Sequence, residues 1–292
     1  MIHNTVNLMK DGTKTDIKIG LSGCKLKMID DKIIRKSSPT KSFNHRLNIQ
    51  INKQLSFNNI IQSDFNTPQI YNNNVGYFDM EYIPGESYYN FFNKCSKQDL
   101  DKLLIKIKSY FSELQTYKKI YSPNILKNKL NSKLNSLYDN SNYKSFIKYI
   151  IKDIKNNEFT NIPKTFCHGD LSLTNIIFYK NRAYLIDFLD SYIDSFIVDL
   201  VKLQQDLHFK WALNVHNGNL RIHQSFNYLW DNIYKEYKEY YDLEFTKIIN
   251  ILNWLRIEPY LKDNKHKEVL KSIITNLEHY EKFNSTYSRK IK

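Results

Sequence analysis

The chain opens on alternation. Ile17, Ile19 and Leu21 alternate with polar residues, Leu26 and Met28 do so again, and Lys32-Ile33-Ile34-Arg35-Lys36 follows a turn at Asp30-Asp31. This predicts three short antiparallel strands joined by tight turns. The period then lengthens: Phe43, Leu47, Ile51 and Leu55 recur every fourth residue, predicting a helix from Ser42 to Phe57 with Ser42 as its N-cap. Two further strands are predicted at Pro68 to Tyr71 and Gly76 to Ile83. Pro84-Gly85 cannot continue a strand, and the residues beyond it have helical period, so the boundary between an N-terminal lobe (1–84) and a C-terminal lobe (85–292) is expected there.

Leu100, Leu103, Leu104, Ile107, Phe111 and Leu114 mark an amphipathic helix, and Lys- and Asn-rich segments continue helically to about Asn157. A short β island from Thr165 to Ile186 interrupts the helices. They return from Phe196, with one stripe at Phe226, Leu229, Trp230, Ile233 and Tyr237 and another at Val269, Leu270, Ile273, Ile274 and Leu277. The expected class is α+β: a small antiparallel β lobe and a larger, mostly helical lobe holding the β island. Ligands often bind between such lobes.

Composition narrows this picture. The 292 residues are 41% apolar and 14% aromatic, enough for a sizeable core and too apolar for a disordered chain. Lys and Arg number 43 against 30 Asp and Glu, a formal charge of +13 that invites a nucleic acid or anionic membrane as partner. Only six of those cations are Arg, however, and the lysines are scattered among Asn, Ile and Tyr, residue types that share AT-rich codons. That is poor material for base readout, so neither nucleic acid nor membrane is expected as partner. Cys24, Cys95 and Cys167 show no C-x-x-C spacing, which suggests neither a disulfide framework nor a zinc site and fits a reducing cytoplasm. The sequence is silent on oligomeric state.

The chemistry concentrates in the β island. His168-Gly169-Asp170-Leu171-Ser172-Leu173-Thr174-Asn175 precedes an apolar run, and Ile186-Asp187-Phe188 comes after a second one. A carboxylate, an amide and another carboxylate thus stand on loops at the ends of short apolar strands, where a scaffold can hold them rigidly. Phosphoryl transfer needs such a set: an Asp to orient the attacking hydroxyl and take its proton, and oxygen ligands for Mg²⁺ on the nucleotide phosphates. An ordinary turn with solvated carboxylates is the plain alternative, and three polar matches in register inside apolar strands disfavour it.

This H-G-D-x-x-x-x-N followed by I-D-F resembles the aminoglycoside phosphotransferase and choline/ethanolamine kinase superfamily, a variant of the protein-kinase H-R-D-x-x-x-x-N and D-F-G elements. The resemblance implies a bilobal protein-kinase-like fold, Asp170 as catalytic base, and Asn175 and Asp187 as Mg²⁺ ligands. His168 would brace the loop, and Asp199 at a helix start would stabilise its backbone. Gly20, Ser22 and Gly23 fall where the family's nucleotide loop lies. Arg35 or Lys36 would contact the α- and β-phosphates; Lys36 is preferred because it shares a face with Ile34. Met80, Glu81 and Ile83 look like the hinge strand that reads adenine. The helix carboxylate that usually pairs with the lysine is missing, since 42–57 contains no Asp or Glu, and Gln50, Asn52 or Gln54 would have to substitute.

Too few residues separate Asp187 from Asp199 for a protein-kinase activation segment, so the resemblance implies ATP- or GTP-dependent transfer to a small acceptor. Asp190, Asp194 and Asp199 would favour a cationic one, an amino alcohol or amino sugar, with Asp206, Trp211, Trp254 and Glu258 as candidate pocket residues. The tracts Ile34 to Ser37, Met80 to Gly85 and Ile186 to Ser191 look similar to bacterial phosphotransferases of capsule and surface-polysaccharide synthesis. A catalytically silent nucleotide-binding scaffold is the competing reading, motivated by the missing carboxylate.

Overall fold

The computed structural model describes residues 18–19, 23–215, 218–261 and 263–288. Gly20 and Ser22, with Ile17 and Leu21 of the first expected strand, lie outside them. In chain order the elements are β1 (Lys18–Ile19), β2 (Lys25–Met28), β3 (Ile33–Ser37), α1 (Asn44–Ile60), β4 (Ile70–Asn74), β5 (Tyr77–Glu81), α2 (Tyr88–Lys94), α3 (Lys97–Gln115), α4 (Pro123–Tyr138), α5 (Lys144–Asn156), β6 (Ile176–Tyr179), β7 (Arg182–Leu185), α6 (Phe196–Leu207), α7 (Trp211–Val215), α8 (Leu220–Tyr241), α9 (Glu244–Ile257) and α10 (Asn264–Ser288). A small antiparallel sheet followed by a mainly helical remainder is the α+β class expected.

The chain divides into two compact units, one formed by Met1–Lys119 with Pro163–Lys238 and the other by Ile120–Ile162 with Glu239–Lys292. The first carries a five-stranded antiparallel sheet in the order β1-β2-β3-β5-β4. Its β2–β3 turn forms because the Asp30 carboxylate accepts hydrogen bonds from the backbone amides of Lys32 (2.8 Å) and Ile33 (2.9 Å). On β3 the alternation buries Ile34 and Lys36 and leaves Arg35 on the opposite face. Cys24, Ile34, Phe78 and Met80 from the sheet side form a core cluster with Leu47 and Ile51 of α1.

Helix α1 departs from its predicted stripe. Ser42 does not cap it: Lys41–Phe43 make a 3-10 turn, and Phe43 stands at the N-cap with no side-chain cap. Leu55 is exposed, whereas Gln50 and Gln54 are buried. The buried face of α1 is partly polar because Gln54 donates to the carbonyl of Pro68 (2.9 Å) and Gln50 meets Lys36. β4 begins and ends later than expected, its Asn72, Asn73 and Asn74 being tolerated at the sheet edge.

Within the expected β island only β6 and β7 are strands. They pair through a two-residue turn at Lys180 and Asn181, both with positive φ (47° and 62°), the hairpin geometry that matches strand twist. Residues 165–172 are loop. Pro84-Gly85 lies between β5 and α2, packed on β6: a Cβ at Gly85 would come within 2.4 Å of Ile177 and 2.6 Å of the Phe178 carbonyl oxygen. Helix α3 starts with a capping box between Ser96 and Asp99 and buries Leu100, Leu103, Leu104, Ile107, Phe111 and Leu114 as predicted, with Tyr110 beside them.

In the second unit α4 buries Leu126, Leu130 and Leu134, and α5 buries Phe146, Ile147, Ile150 and Ile154. Phe159 meets Phe245 of α9 edge-on. Leu270 and Ile274 are the buried members of the α10 stripe.

Candidate functional site

One buried helix and one loop build the site. In α6 every residue except Gln204 is buried, and three of them are charged: Asp199, Lys202 and Asp206. Their spacing of three and then four puts them on one stripe of the helix. The loop from His168 to Leu173 lies along that stripe. Asp199 accepts from the backbone amides of His168 (2.7 Å) and Gly169 (2.8 Å) and from the Tyr110 hydroxyl (2.6 Å). Lys202 Nζ lies 3.0 Å from Asp170 Oδ1. Asp206 Oδ2 accepts from the amide of Leu173 at 2.7 Å. Successive turns of α6 therefore hold successive residues of the loop.

Burial raises the pKa of both carboxylates, that of Asp206 to about 7. For Asp206 the amide of Leu173 and the Lys202 ammonium pull in the other direction without cancelling the cost of desolvation.

His168 is wholly buried. Its Nδ1 faces the amide of Asp170 (3.2 Å) and must accept, so Nε2 carries the proton and donates to the carbonyl of Ile186 (2.9 Å). Burial lowers its pKa, keeping the ring neutral, and the ring packs on Phe188 with centroids 4.2 Å apart. Gly169 is required here: its φ is +86°, and a Cβ would lie 2.2 Å from Ser191 Oγ. No arginine or other side chain fits this position of the motif.

Asn175 donates through Nδ2 to Asp170 Oδ2 (3.0 Å) and to the Asp170 carbonyl (2.9 Å), while its own carbonyl accepts from Ile186. Its side-chain oxygen is the atom not engaged in that amide bond. Asp187 has the left-handed φ of +59°, uncommon outside glycine, and its Oδ1 lies 2.9 Å from Lys36 Nζ. Hard oxygen donors from one amide and one carboxylate suit Mg²⁺ on nucleotide phosphates, an ion that keeps several waters and takes few protein ligands.

Lys36 is buried and turns to the site, held also by Gln50 Oε1 at 3.2 Å. Of the three candidate helix partners, Gln50 is the one that meets it. Arg35 does not reach the site: its guanidinium pairs with Asp79 (2.7 and 2.9 Å) and lies over the Tyr77 ring. That corrects its reading as a phosphate contact, and the cause is strand alternation. Helix α1 adds a cation that the sequence reading did not single out. Lys53 Nζ reaches the carbonyl of Leu189 (3.0 Å), Ser191 Oγ (2.8 Å) and Asp194 (3.2 Å).

Gly23 has φ +80° and packs against Pro39; Gly20 and Ser22 fall outside the described residues. In the hinge tract Met80 is part of the core cluster. The Glu81 amide is bonded to the Gln69 carbonyl and the Ile83 carbonyl to the Gly85 amide.

Asp206 and Trp211 are wholly buried, which corrects their reading as acceptor-lining groups. The same holds for Trp254, buried in the second unit, where Glu258 accepts from Ser141 Oγ (2.6 Å) and from the backbone and side-chain nitrogens of Asn142 (2.9 and 2.7 Å). Asp190 is half-buried on the loop after Asp187. Among the described residues no group of three or more His, Cys, Asp or Glu is placed to hold a metal ion, and no helix is long and apolar enough to cross a membrane.

Comparison with known proteins gives the chain a family and its fold a set of relatives. The model of a family described as "Phosphotransferase enzyme family" (APH) matches residues 53–232. Among solved structures, the gentamicin complex of APH(2'')-IIa is similar at 16% identity over 90% of each chain, with a TM-score of 0.55. The GDP and kanamycin complex of an APH(2'')-III enzyme is similar at 13% identity over 94% of this chain and 95% of that one, with a TM-score of 0.57. Choline kinase LicA from Streptococcus pneumoniae is similar at 16% identity over 91% and 94%, with a TM-score of 0.52. No curated protein sequence matches the chain.

Proposed function

Because this chain belongs to the APH phosphotransferase enzyme family, and so is a small-molecule kinase acting on hydroxyl groups, we propose that Asp170 is its catalytic base and that the acceptor is an amino alcohol or a sugar. The observation that carries this is the convergence of Lys202 and Asn175 on the two oxygens of one loop carboxylate, which fixes Asp170 in a single orientation. A positioned carboxylate takes the proton of the attacking hydroxyl as the bond to the γ-phosphoryl group forms and the bond to the leaving nucleoside diphosphate breaks.

Lys36 meets the α- and β-phosphates of ATP or GTP, and its bonds to Asp187 and Gln50 hold its ammonium in place for them. Asn175 and Asp187 would hold Mg²⁺, which supplies charge neutralisation on the phosphates when bound. His168 and Asp199 touch no reacting atom in this reading; they hold the loop that carries Asp170. The product would be a phosphorylated building block for a surface polysaccharide, a reading that rests on the sequence tracts around Lys36, Met80 and Asp187.

Replacing Asp170 by Ala tests the assignment. Turnover, followed by coupled nucleotide consumption over a panel of amino alcohols, aminoglycosides and free sugars, should fall roughly 100- to 10,000-fold with nucleotide affinity nearly unchanged. Full activity in the variant would remove Asp170 from the role.

A further inference from the structure

We propose that Lys202 makes this enzyme select an acceptor with no cationic group beside the reacting hydroxyl, that is, a neutral or anionic polyol rather than an amino alcohol or amino sugar. The inference rests on Asp170 being the base and narrows the acceptor class given above.

The argument is one of charge at short range. Lys202 is fixed by a buried helix, with its side chain 10% exposed and its ammonium 3.0 Å from Asp170 Oδ1 and 3.5 Å from Gln205 Oε1. A hydroxyl hydrogen-bonded to Asp170 Oδ1 lies within about 6 Å of that ammonium, the sum of two hydrogen-bond lengths. An ammonium one or two carbons from that hydroxyl would meet a like charge at short range, beside a carboxylate that is only partly exposed.

Three of the carboxylates that could compensate are engaged elsewhere. Asp199 is wholly buried against three donors, and Asp206 is wholly buried on the amide of Leu173. Asp194 is ion-paired with Lys53. Of the acidic string that in the sequence pointed to a cationic acceptor, Asp199 is structural, Asp194 is paired with Lys53 and Asp190 is half-buried on the loop after Asp187, while the side chain paired with Asp170 is a cation. A neutral hydroxyl compound meets no such penalty, and an anionic one is attracted.

Matched acceptor pairs differing only by an amine test this: ethylene glycol against ethanolamine, and glucose against glucosamine. Each is assayed by Mg²⁺-dependent nucleotide consumption with wild type, Lys202→Met and Lys202→Arg. The expected result is a wild-type kcat/KM at least about ten-fold higher for the neutral member, a gap that Lys202→Arg keeps and Lys202→Met closes to within about three-fold, while turnover of both members falls together as Asp170 loses one of its two anchors. A wild type that favours the amines, that uses neither member of either pair, or whose gap survives in Lys202→Met overturns the inference. Should Lys202→Met fail to fold, as read by its thermal transition, Lys202→Gln takes its place with the same expected outcome. Asp170→Ala, run against the whole acceptor panel, separates the two claims: if it is inactive while the amines are favoured, only the selection by Lys202 falls, and if it is active, the assignment of the base falls.

Discussion

Two helices approach the site from different sides, and they hold it by opposite means. Helix α6 presents a buried stripe of Asp, Lys and Asp that binds the loop 168–173 at three successive turns. Helix α1 presents Gln50 and Lys53, a neutral amide and a cation, to Lys36 and to the loop after Asp187. Helix α6 supplies carboxylates of its own, whereas α1 contains none. The difference teaches where precision is built in. A buried carboxylate that accepts several N–H bonds cannot shift without leaving donors unpaired, whereas an amide facing a lysine that already has a carboxylate partner can be exchanged at small cost. The loop carrying Asp170 is therefore the rigid half of the site and Lys36 the adaptable half.

The largest effect is expected where that rigidity originates. Asp199→Ala would leave the amides of His168 and Gly169 and the hydroxyl of Tyr110 buried without their acceptor. The expected loss is about 3–5 kcal/mol of stability, read from urea denaturation, with turnover falling with it. A loss below about 1 kcal/mol would break the contrast between the helices.

Asp206 gives a pH-dependent version of the same test. Its pKa is raised in the folded chain to about 7 by burial, so the folded state binds this proton more tightly than the unfolded one. Its contribution is fully present below the ordinary carboxylate range near 4 and is lost as pH rises through 7. Asp206→Asn, which keeps an oxygen for the Leu173 amide, should thus gain stability over wild type between pH 5 and pH 8, by up to about 4 kcal/mol at full effect. Parallel stability profiles for the two proteins would contradict this.

Much of this was visible before the fold, and the omissions have physical causes. The spacing of Asp170, Asn175 and Asp187 singled out residues that the fold brings together, Asn175 on Asp170 and the amide before Asp187 on Asn175, and the buried positions of α3 follow directly from its period. The signal for Lys202 lies in the sequence: charges at 199, 202 and 206, in a segment whose other residues are apolar save Gln204 and Gln205, mark one helix face turned to a polar partner. The choice between Arg35 and Lys36 could not be closed by alternation alone, which separates two faces without saying which is inside. Asp79 directly opposite Arg35 on β5 settles it. Trp211 and Trp254 show the reverse error, since large aromatics at helical spacing serve the core. Ser42 looked like a cap because a 3-10 turn ahead of α1 cannot be told from a first helical turn by residue type.

The smallest expected effect sharpens the comparison from the α1 side. Gln50 contributes one hydrogen bond, 3.2 Å long, to an ammonium that Asp187 also holds at 2.9 Å. Gln50→Ala removes an acceptor but leaves Lys36 paired, so no buried charge is stranded. Nucleotide KM should rise about three- to ten-fold with kcat within about two-fold, and the thermal transition should move by no more than a loss of about 1 kcal/mol implies. A variant as damaged as Asp199→Ala would mean that α1, with no carboxylate, holds its lysine as tightly as α6 holds the loop of Asp170, and the division into a rigid and an adaptable half would fail.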